Sequence, residues 1–130
     1  MEQALKQTTI DRDTGLGRHL LLELYDCNRE VLNQVEPVET ILKEAALAAN
    51  ATIIESAFHH FSPYGVSGVI IISESHLTIH TWPEYGYAAI DVFSCDTEMN
   101  MVRLEKMLVS AFGSATHERS IIRRGKNVKL

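Results

Sequence analysis

The residue types best suited to chemistry are concentrated between positions 59 and 95 of the chain. Four of the six histidines lie there, together with several serines and one of the two cysteines. His76 and His80 have the same parity in an alternating segment, so a β-strand would point both toward one face and one metal ion. Two ligands from one strand are only half of a zinc site, and neither a cysteine pair nor a carboxylate cluster completes it. We therefore predict that the protein binds no metal.

Ser75, His80 and Asp91 have the residue types of a hydrolase triad, but their sequence context does not support one. Ser75 lacks the Gly-x-Ser-x-Gly surroundings of a nucleophile elbow. On one continuous strand Ser75 and His80 would also point to opposite faces, so the strand either begins after Ser75 or bends there. A hydroxyl beside a strained peptide can attack the carbonyl that precedes it. The pattern therefore indicates chemistry on the chain itself.

Length and composition indicate one soluble globular domain. The chain has 130 residues, of which 45% are hydrophobic and 22% charged, and its net charge is −5. This charge gives no general attraction to phosphate backbones, so we predict no nucleic-acid partner. The longest apolar run, residues 69–72, is far shorter than the roughly 20 residues of a membrane helix, and we predict no membrane partner. Cys27 and Cys95 are too few for a disulfide scaffold, which favours the reducing cytoplasm.

Hydrophobic periodicity predicts an α+β domain over residues 17–130, preceded by a mobile N-terminal arm of residues 1–16. The expected fold is a two-layer sandwich, an antiparallel sheet with helices packed on one face. We expect the strand over 66–73 to be the most buried. The predicted strands are 19–25, 52–61, 66–73, 76–82, 87–95 and 116–122, and the predicted helices begin near Pro37 and Met101 and end near Asn50 and Gly113.

The segment Ser73-Glu74-Ser75-His76-Leu77-Thr78-Ile79-His80, followed by Cys95, resembles the small prokaryotic S-adenosylmethionine decarboxylases, pyruvoyl enzymes of polyamine synthesis. The resemblance begins at Gly17-Arg18-His19 and fades after Cys95. It implies a proenzyme that cuts itself between Glu74 and Ser75 and makes a pyruvoyl group from Ser75. In the family that group forms a Schiff base with the substrate amine and accepts the electrons released as carbon dioxide leaves.

The resemblance also implies roles for individual side chains. Ser75 is the pyruvoyl precursor, His80 transfers protons during processing, and Ser67 hydrogen-bonds the tetrahedral intermediate. Cys95 is the proton donor in decarboxylation, and a thiol with an ordinary pKa of about 8.5 is largely protonated at neutral pH. Outside this motif, Ser67 would be interpreted as a turn residue and His80 as a hydrogen-bonded core histidine.

Phe61, Trp82 and Glu84 match family positions that bind the nucleoside part of the substrate. The two aromatic faces can stack on adenine and favour a sulfonium cation, while Glu84 can accept hydrogen bonds from ribose hydroxyls. The resemblance further implies a homodimer of cleaved protomers, with active sites near the subunit boundary. Cys27 is interpreted as structural, and Glu23 has no predicted role.

Two alternative functions remain open from the sequence. The first is a pyruvoyl-dependent arginine or ornithine decarboxylase of the same family, in which only the substrate pocket differs. Phe61 and Trp82 favour the nucleoside over an amino acid whose distal cation would gain more from a carboxylate. The second is a non-catalytic activating subunit, which the presence of Ser75, His80 and Cys95 disfavours. The basic residues 123–126 depart from the family and are interpreted as a solvated tail in preference to an ion-pairing segment.

Overall fold

A computed structural model describes residues 15–129, which form one six-stranded antiparallel sheet with helices on one face. The strands are β1 (Gly17–Tyr25), β2 (Ile53–His60), β3 (Val66–Ile72), β4 (Ser75–Trp82), β5 (Tyr87–Ser94) and β6 (Thr116–Arg124), and the helices are α1 (Arg29–Leu32), α2 (Val35–Ala48) and α3 (Met101–Ala111). A short 3-10 turn, Pro83–Tyr85, joins β4 to β5. Across the sheet the strand order is β2-β3-β4-β5-β1-β6. This arrangement confirms the predicted α+β two-layer sandwich.

The two faces of the sheet differ because helices cover only one of them. Along β5, Ala88, Ile90, Val92 and Ser94 are buried, while the residues between them are partly exposed. The prediction that residues 66–73 form the most buried strand is wrong. β3 alternates in the same way, and Ile71 is 44% exposed between buried Ile70 and Ile72. We refer to the uncovered side of the sheet, which includes His76, Thr78, His80 and Trp82 of β4, as the open face.

The two long helices follow the apolar stripes in the sequence. In α2, Val38, Leu42, Ala45 and Ala46 are buried, and the helix begins two residues before Pro37 because a first turn tolerates proline. The Asn100 side chain accepts a hydrogen bond from the Arg103 amide and so caps α3. The helix-covered face and these stripes together form the core.

The sequence did not predict α1, a single turn of four residues. A helix this short has no full apolar period, so only its cap is visible in the sequence: the Asn28 side chain accepts a hydrogen bond from the Val31 amide. Tertiary contacts hold this turn in place. Thr81 donates to the main-chain oxygen of Leu32 at 2.8 Å, and Leu32 itself is fully buried.

Both ends of the predicted domain lie near the edge strand β6. Residues 1–14 of the predicted arm are outside the described residues, but Leu16 donates its amide to the main-chain oxygen of Arg124 at 2.8 Å. The interpretation of residues 123–126 as a tail needs correction, because Arg123 and Arg124 belong to β6 and pair with Arg18 and Gly17. Their side chains are exposed, as the sequence predicted.

Candidate active site

The Glu74–Ser75 peptide lies at the tight turn between β3 and β4. Ile72 and Ser75 are register partners, so only Ser73 and Glu74 form the loop. Glu74 has φ 61°, a left-handed conformation that costs a non-glycine residue about 1–2 kcal/mol. β4 begins at Ser75, and its alternation places Ser75 and His80 on opposite faces. The distortion that the sequence predicted near Ser75 is therefore located at Glu74.

Cys95 contacts the carbonyl oxygen of the predicted scissile bond with two donors. Its amide N–H lies 3.2 Å and its Sγ 3.0 Å from the Glu74 oxygen. Strand pairing explains this contact, because Ser75 and Ser94 are partners in the β4–β5 register and Cys95 follows directly. Two donors aimed at one carbonyl oxygen are the arrangement that stabilises negative charge on it during nucleophilic attack.

The Cys95 thiol is held in its protonated form. Partial burial raises its pKa, and the nearby Glu74 carboxylate raises it further. A proton donor is therefore present at neutral pH. Cys27 is different: it is buried in the core, and burial raises its pKa to about 11. This environment agrees with the structural role predicted for Cys27.

Ser67 and His80 form a second cluster on the open face. They are register partners on β3 and β4, and Ser67 Oγ lies 2.8 Å from His80 Nδ1. Cross-strand pairing fixes this contact, since directly opposed residues on one face lie close together. The structure thus places the two predicted processing residues in direct contact with each other.

The three predicted substrate residues lie at the same end of the sheet as Ser67 and His80. Trp82 ends β4 and stacks on Tyr87, with ring centroids 5.1 Å apart. Phe61 follows β2, is 49% exposed, and its ring meets the His59 ring edge to face at 4.6 Å. Glu84 lies in the 3-10 turn directly after Trp82. The aromatic faces and the carboxylate are accessible there.

Helix α1 and Asn33, the residue that follows it, hold both loops that carry these residues, and sequence reasoning missed this role. Asn33 Oδ1 accepts the Gly65 amide at 2.9 Å, which fixes the turn after Phe61. Arg29 donates to the main-chain oxygen of Glu84 at 3.0 Å. A cleft of about 690 Å³ lies between these segments, lined by Arg29, Glu30, Asn33, Gln34, Tyr64, Pro83 and Glu84.

Within one chain the Ser67–His80 cluster lies far from the Glu74–Ser75 peptide and Cys95. His80 lies five positions after Ser75 along β4, which corresponds to about 17 Å. The hydrolase triad is not formed either, because Ser75 and His80 lie on opposite faces at this separation, and Asp91 accepts a hydrogen bond from Thr78 instead. His76 and His80 share the open face as predicted, but residues 15–129 contain no group of three or more potential metal ligands.

No helix in the same range is long and apolar enough to cross a membrane.

Comparison with known proteins assigns this chain to one family. The model of the S-adenosylmethionine decarboxylase family matches residues 18–125. The chain belongs to the S-adenosylmethionine decarboxylase family. The match extends through α3 and β6, so the prediction that the resemblance fades after Cys95 is wrong.

Curated relatives agree with this assignment. The chain is 62% identical over 86 residues to the S-adenosylmethionine decarboxylase proenzyme of Thermotoga maritima and 61% identical over the same length to that of Thermosipho melanesiensis. Each match covers 66% of this chain and 66% of the relative. The proenzyme of Pseudomonas aeruginosa is 48% identical over 122 residues, covering 94% of this chain and 76% of its own.

Solved structures show the same fold. The adenosylmethionine decarboxylase of Aquifex aeolicus superposes with a TM-score of 0.79 at 32% identity, covering 86% of this chain and 92% of its own. A Trypanosoma brucei enzyme of the same name superposes with a TM-score of 0.56 at 14% identity, covering 80% of this chain and 45% of its own. The latter likeness concerns the fold alone.

Proposed function

We propose that this chain is the proenzyme of a pyruvoyl-dependent S-adenosylmethionine decarboxylase, which cuts itself between Glu74 and Ser75. The observation that carries the proposal is that two Cys95 donors contact the Glu74 carbonyl oxygen. The Ser75 hydroxyl belongs to the next residue, and Glu74 itself has a left-handed backbone conformation. The product would be the decarboxylated aminopropyl donor for spermidine synthesis.

Self-cleavage uses the chain's own groups. Ser75 Oγ attacks the Glu74 carbonyl carbon, the C–N bond breaks, and the hydroxyl proton ends on the released amine, leaving an ester. Removal of the Ser75 Cα proton then expels the Glu74 carboxylate and leaves a dehydroalanine. Water converts that residue to a pyruvoyl group and ammonia. The two Cys95 donors stabilise the oxyanion in the first step.

The residues at this turn fit a pyruvoyl group. When present, that group supplies an electron sink for decarboxylation. Cys95 Sγ, which carries a proton, lies 3.0 Å from the Glu74 main-chain oxygen, directly beside residue 75, from which the pyruvoyl group forms. Since burial raises the pKa of this thiol, Cys95 keeps the proton that the substrate carbon must receive. A reducing compartment such as the cytoplasm keeps the thiol free.

A second copy of the chain completes the site in this proposal. Ser67 and His80 cannot reach Glu74 of their own chain across about 17 Å. The open face exposes Ile71, Trp82 and Ile122, which a second sheet could cover. In a two-fold dimer whose open faces are opposed with the two β4 strands antiparallel, the Ser67–His80 end of each protomer lies over the Glu74–Ser75 end of its partner. His80 then moves protons, and Phe61, Trp82 and Glu84 bind the nucleoside.

Intact mass spectrometry under denaturing conditions tests the proposed processing. The wild-type chain should give one fragment of residues 1–74 and one of 56 positions blocked by a pyruvoyl group, since 130 minus 74 is 56. Ser75→Ala should remain one chain. A fully active wild-type chain that is not cut would disprove the pyruvoyl mechanism.

The alternative within this family is decarboxylation of arginine or ornithine. The exposed rings of Phe61 and Trp82 support the nucleoside substrate, because they offer stacking surfaces and a favourable environment for a sulfonium. Release of carbon dioxide from each candidate, assayed separately at equal concentration with verified cleaved protein, distinguishes them. Turnover of arginine or ornithine without turnover of S-adenosylmethionine would contradict the substrate assignment.

A further inference from the structure

Ser94 contacts the proposed nucleophile directly, although neither the sequence motif nor the family resemblance singled it out. Ser75 Oγ donates a hydrogen bond to Ser94 Oγ at 2.8 Å. Strand pairing sets this contact, because Ser75 and Ser94 are directly opposed on the helix-covered side of β4 and β5. Ser94 is 1% exposed, so its hydroxyl cannot readily exchange this partner for bulk water.

The Ser94 hydroxyl is itself held from a second direction. Its oxygen accepts the Asp96 amide at 3.0 Å and lies 3.3 Å from the Asp96 carbonyl oxygen. Thr81 is the other buried polar residue among the described residues, and its hydroxyl bonds main-chain groups of Val66 and Leu32. Ser94 differs because it also bonds a side chain, that of Ser75. Ser94 therefore connects the main chain of Asp96 to the Ser75 side chain.

We propose that Ser94 is a positioning residue for self-cleavage, which holds Ser75 Oγ for attack on the Glu74 carbonyl carbon. This inference rests on the proposed function. Ser94 and Cys95 are consecutive, so one short segment holds both reacting groups: Ser94 orients the hydroxyl, and Cys95 fixes and polarises the carbonyl. The Ser75 hydroxyl donates a hydrogen bond to Ser94 Oγ, which leaves the lone pairs of Ser75 Oγ available for the new C–O bond.

Ser94 is unchanged over the step. The Oγ–C bond forms as the C–N bond breaks, and the Ser75 proton ends on the free amine. Ser94 only limits rotation of the Ser75 side chain about its Cα–Cβ bond. Small misplacements of a reacting group can lower a rate by about 100-fold, so loss of this contact should be measurable.

The test follows cleavage of full-length chains made by cell-free translation, from a pulse of labelled methionine onward. Ser94→Ala removes the hydroxyl, and Ser94→Thr keeps it. Ser94→Val has nearly the shape of Ser94→Thr but lacks the hydroxyl, so comparing these two variants isolates the hydrogen bond when both fold equally well. Ser110→Ala, at an exposed site on α3, is the matched control. Thermal unfolding of each variant in a Ser75→Ala background reports any effect on the fold.

We expect Ser94→Ala and Ser94→Val to cleave about 10- to 100-fold more slowly, and Ser94→Thr and Ser110→Ala to cleave near the wild-type rate. Hydroxylamine, which cuts an accumulated ester, should not speed up cleavage of Ser94→Ala, because the defect precedes the ester. Equal rates for the Thr and Val variants, or rapid cutting of Ser94→Ala by hydroxylamine, would overturn the inference. A wild-type chain that never cuts would instead overturn the proposed function.

Discussion

The Cys95 thiol lies 3.0 Å from the carbonyl oxygen of Glu74, although 21 positions separate the two residues in sequence. The same sulfur that is expected to protonate the substrate carbon therefore also contacts the bond that is cut first. This relationship couples the two proposed reactions through one side chain. It also predicts that substitutions of Cys95 affect both of them, to different extents.

Cys95→Ala should slow self-cleavage and nearly abolish decarboxylation. The amide N–H of residue 95 still donates to the Glu74 oxygen, so the oxyanion keeps one of its two donors and cutting continues. Loss of the general acid should lower turnover by about 100- to 10,000-fold. Cleavage is measured by intact mass, and turnover by carbon dioxide release from fully cut protein. Cys95→Ser is the control, because its hydroxyl restores the second donor while remaining a much weaker acid. Normal turnover in cut Cys95→Ala would remove Cys95 from the mechanism.

The Cys95 thiol should titrate at a higher pH than an exposed thiol. Burial raises its pKa and the Glu74 carboxylate raises it further, so the thiolate should appear only above the pH at which a free thiol ionises. The rate of alkylation by iodoacetamide, measured against pH on the uncut Ser75→Ala chain with mapping of the modified peptide, reports this pKa. Glu74→Gln in the same background removes the negative charge and should lower the pKa of Cys95. An unshifted profile, identical in both chains, would contradict this account.

Phe61→Ala and Trp82→Ala should weaken use of S-adenosylmethionine without preventing cleavage. Both rings are exposed at the Ser67–His80 end of the sheet, away from their own Glu74–Ser75 bond, and base stacking on one aromatic ring is worth about 1–3 kcal/mol. We therefore expect kcat/KM to fall by about 10- to 100-fold, with intact mass showing normal fragments. Leu47→Ala, which removes an exposed apolar side chain from α2, is the matched control. Unchanged kcat/KM in both aromatic variants would place the nucleoside elsewhere.

A mixture of two inactive chains should recover cleavage if each site contains residues of two protomers. His80→Ala keeps its own Ser75, and Ser75→Ala keeps its own His80, so a mixed dimer holds one complete site. Co-expression with different tags and purification through both should yield cut His80→Ala chains and uncut Ser75→Ala chains.

The control for this mixture is His80→Ala co-expressed with the double variant Ser75→Ala/His80→Ala, which contains no His80 and should stay uncut. Absence of cutting in the verified mixed dimer would show that His80 does not act on the partner. Cutting of His80→Ala by itself would show that processing does not need this imidazole.

Periodicity in the sequence was enough to predict the two long helices and all six strands, mostly to within two residues. An apolar stripe or an alternating strand is a local property, and the side that it buries follows from the chain itself. The burial of residues 69–72 could not be predicted from the local sequence. Ile71 is exposed because helices cover only one face of the sheet, and four consecutive apolar residues do not show which face is covered. α1 was missed because tertiary contacts hold this single turn: Thr81 donates to the Leu32 main-chain oxygen, and the Leu32 side chain is buried in the core.

The sequence by itself also determined the chemistry, because Ser73-Glu74-Ser75-His76 and Cys95 carry the family motif. Only the tertiary structure decided which residues meet. The pairing of β4 with β5 brings Cys95 and Ser94 to the Glu74–Ser75 peptide, while the length of β4 keeps His80 about 17 Å away at the other end. Ser94 has no signal in the sequence, since a serine at a strand end is common. Its partner is set by register, a relation between distant segments that hydrogen bonding and core packing decide together.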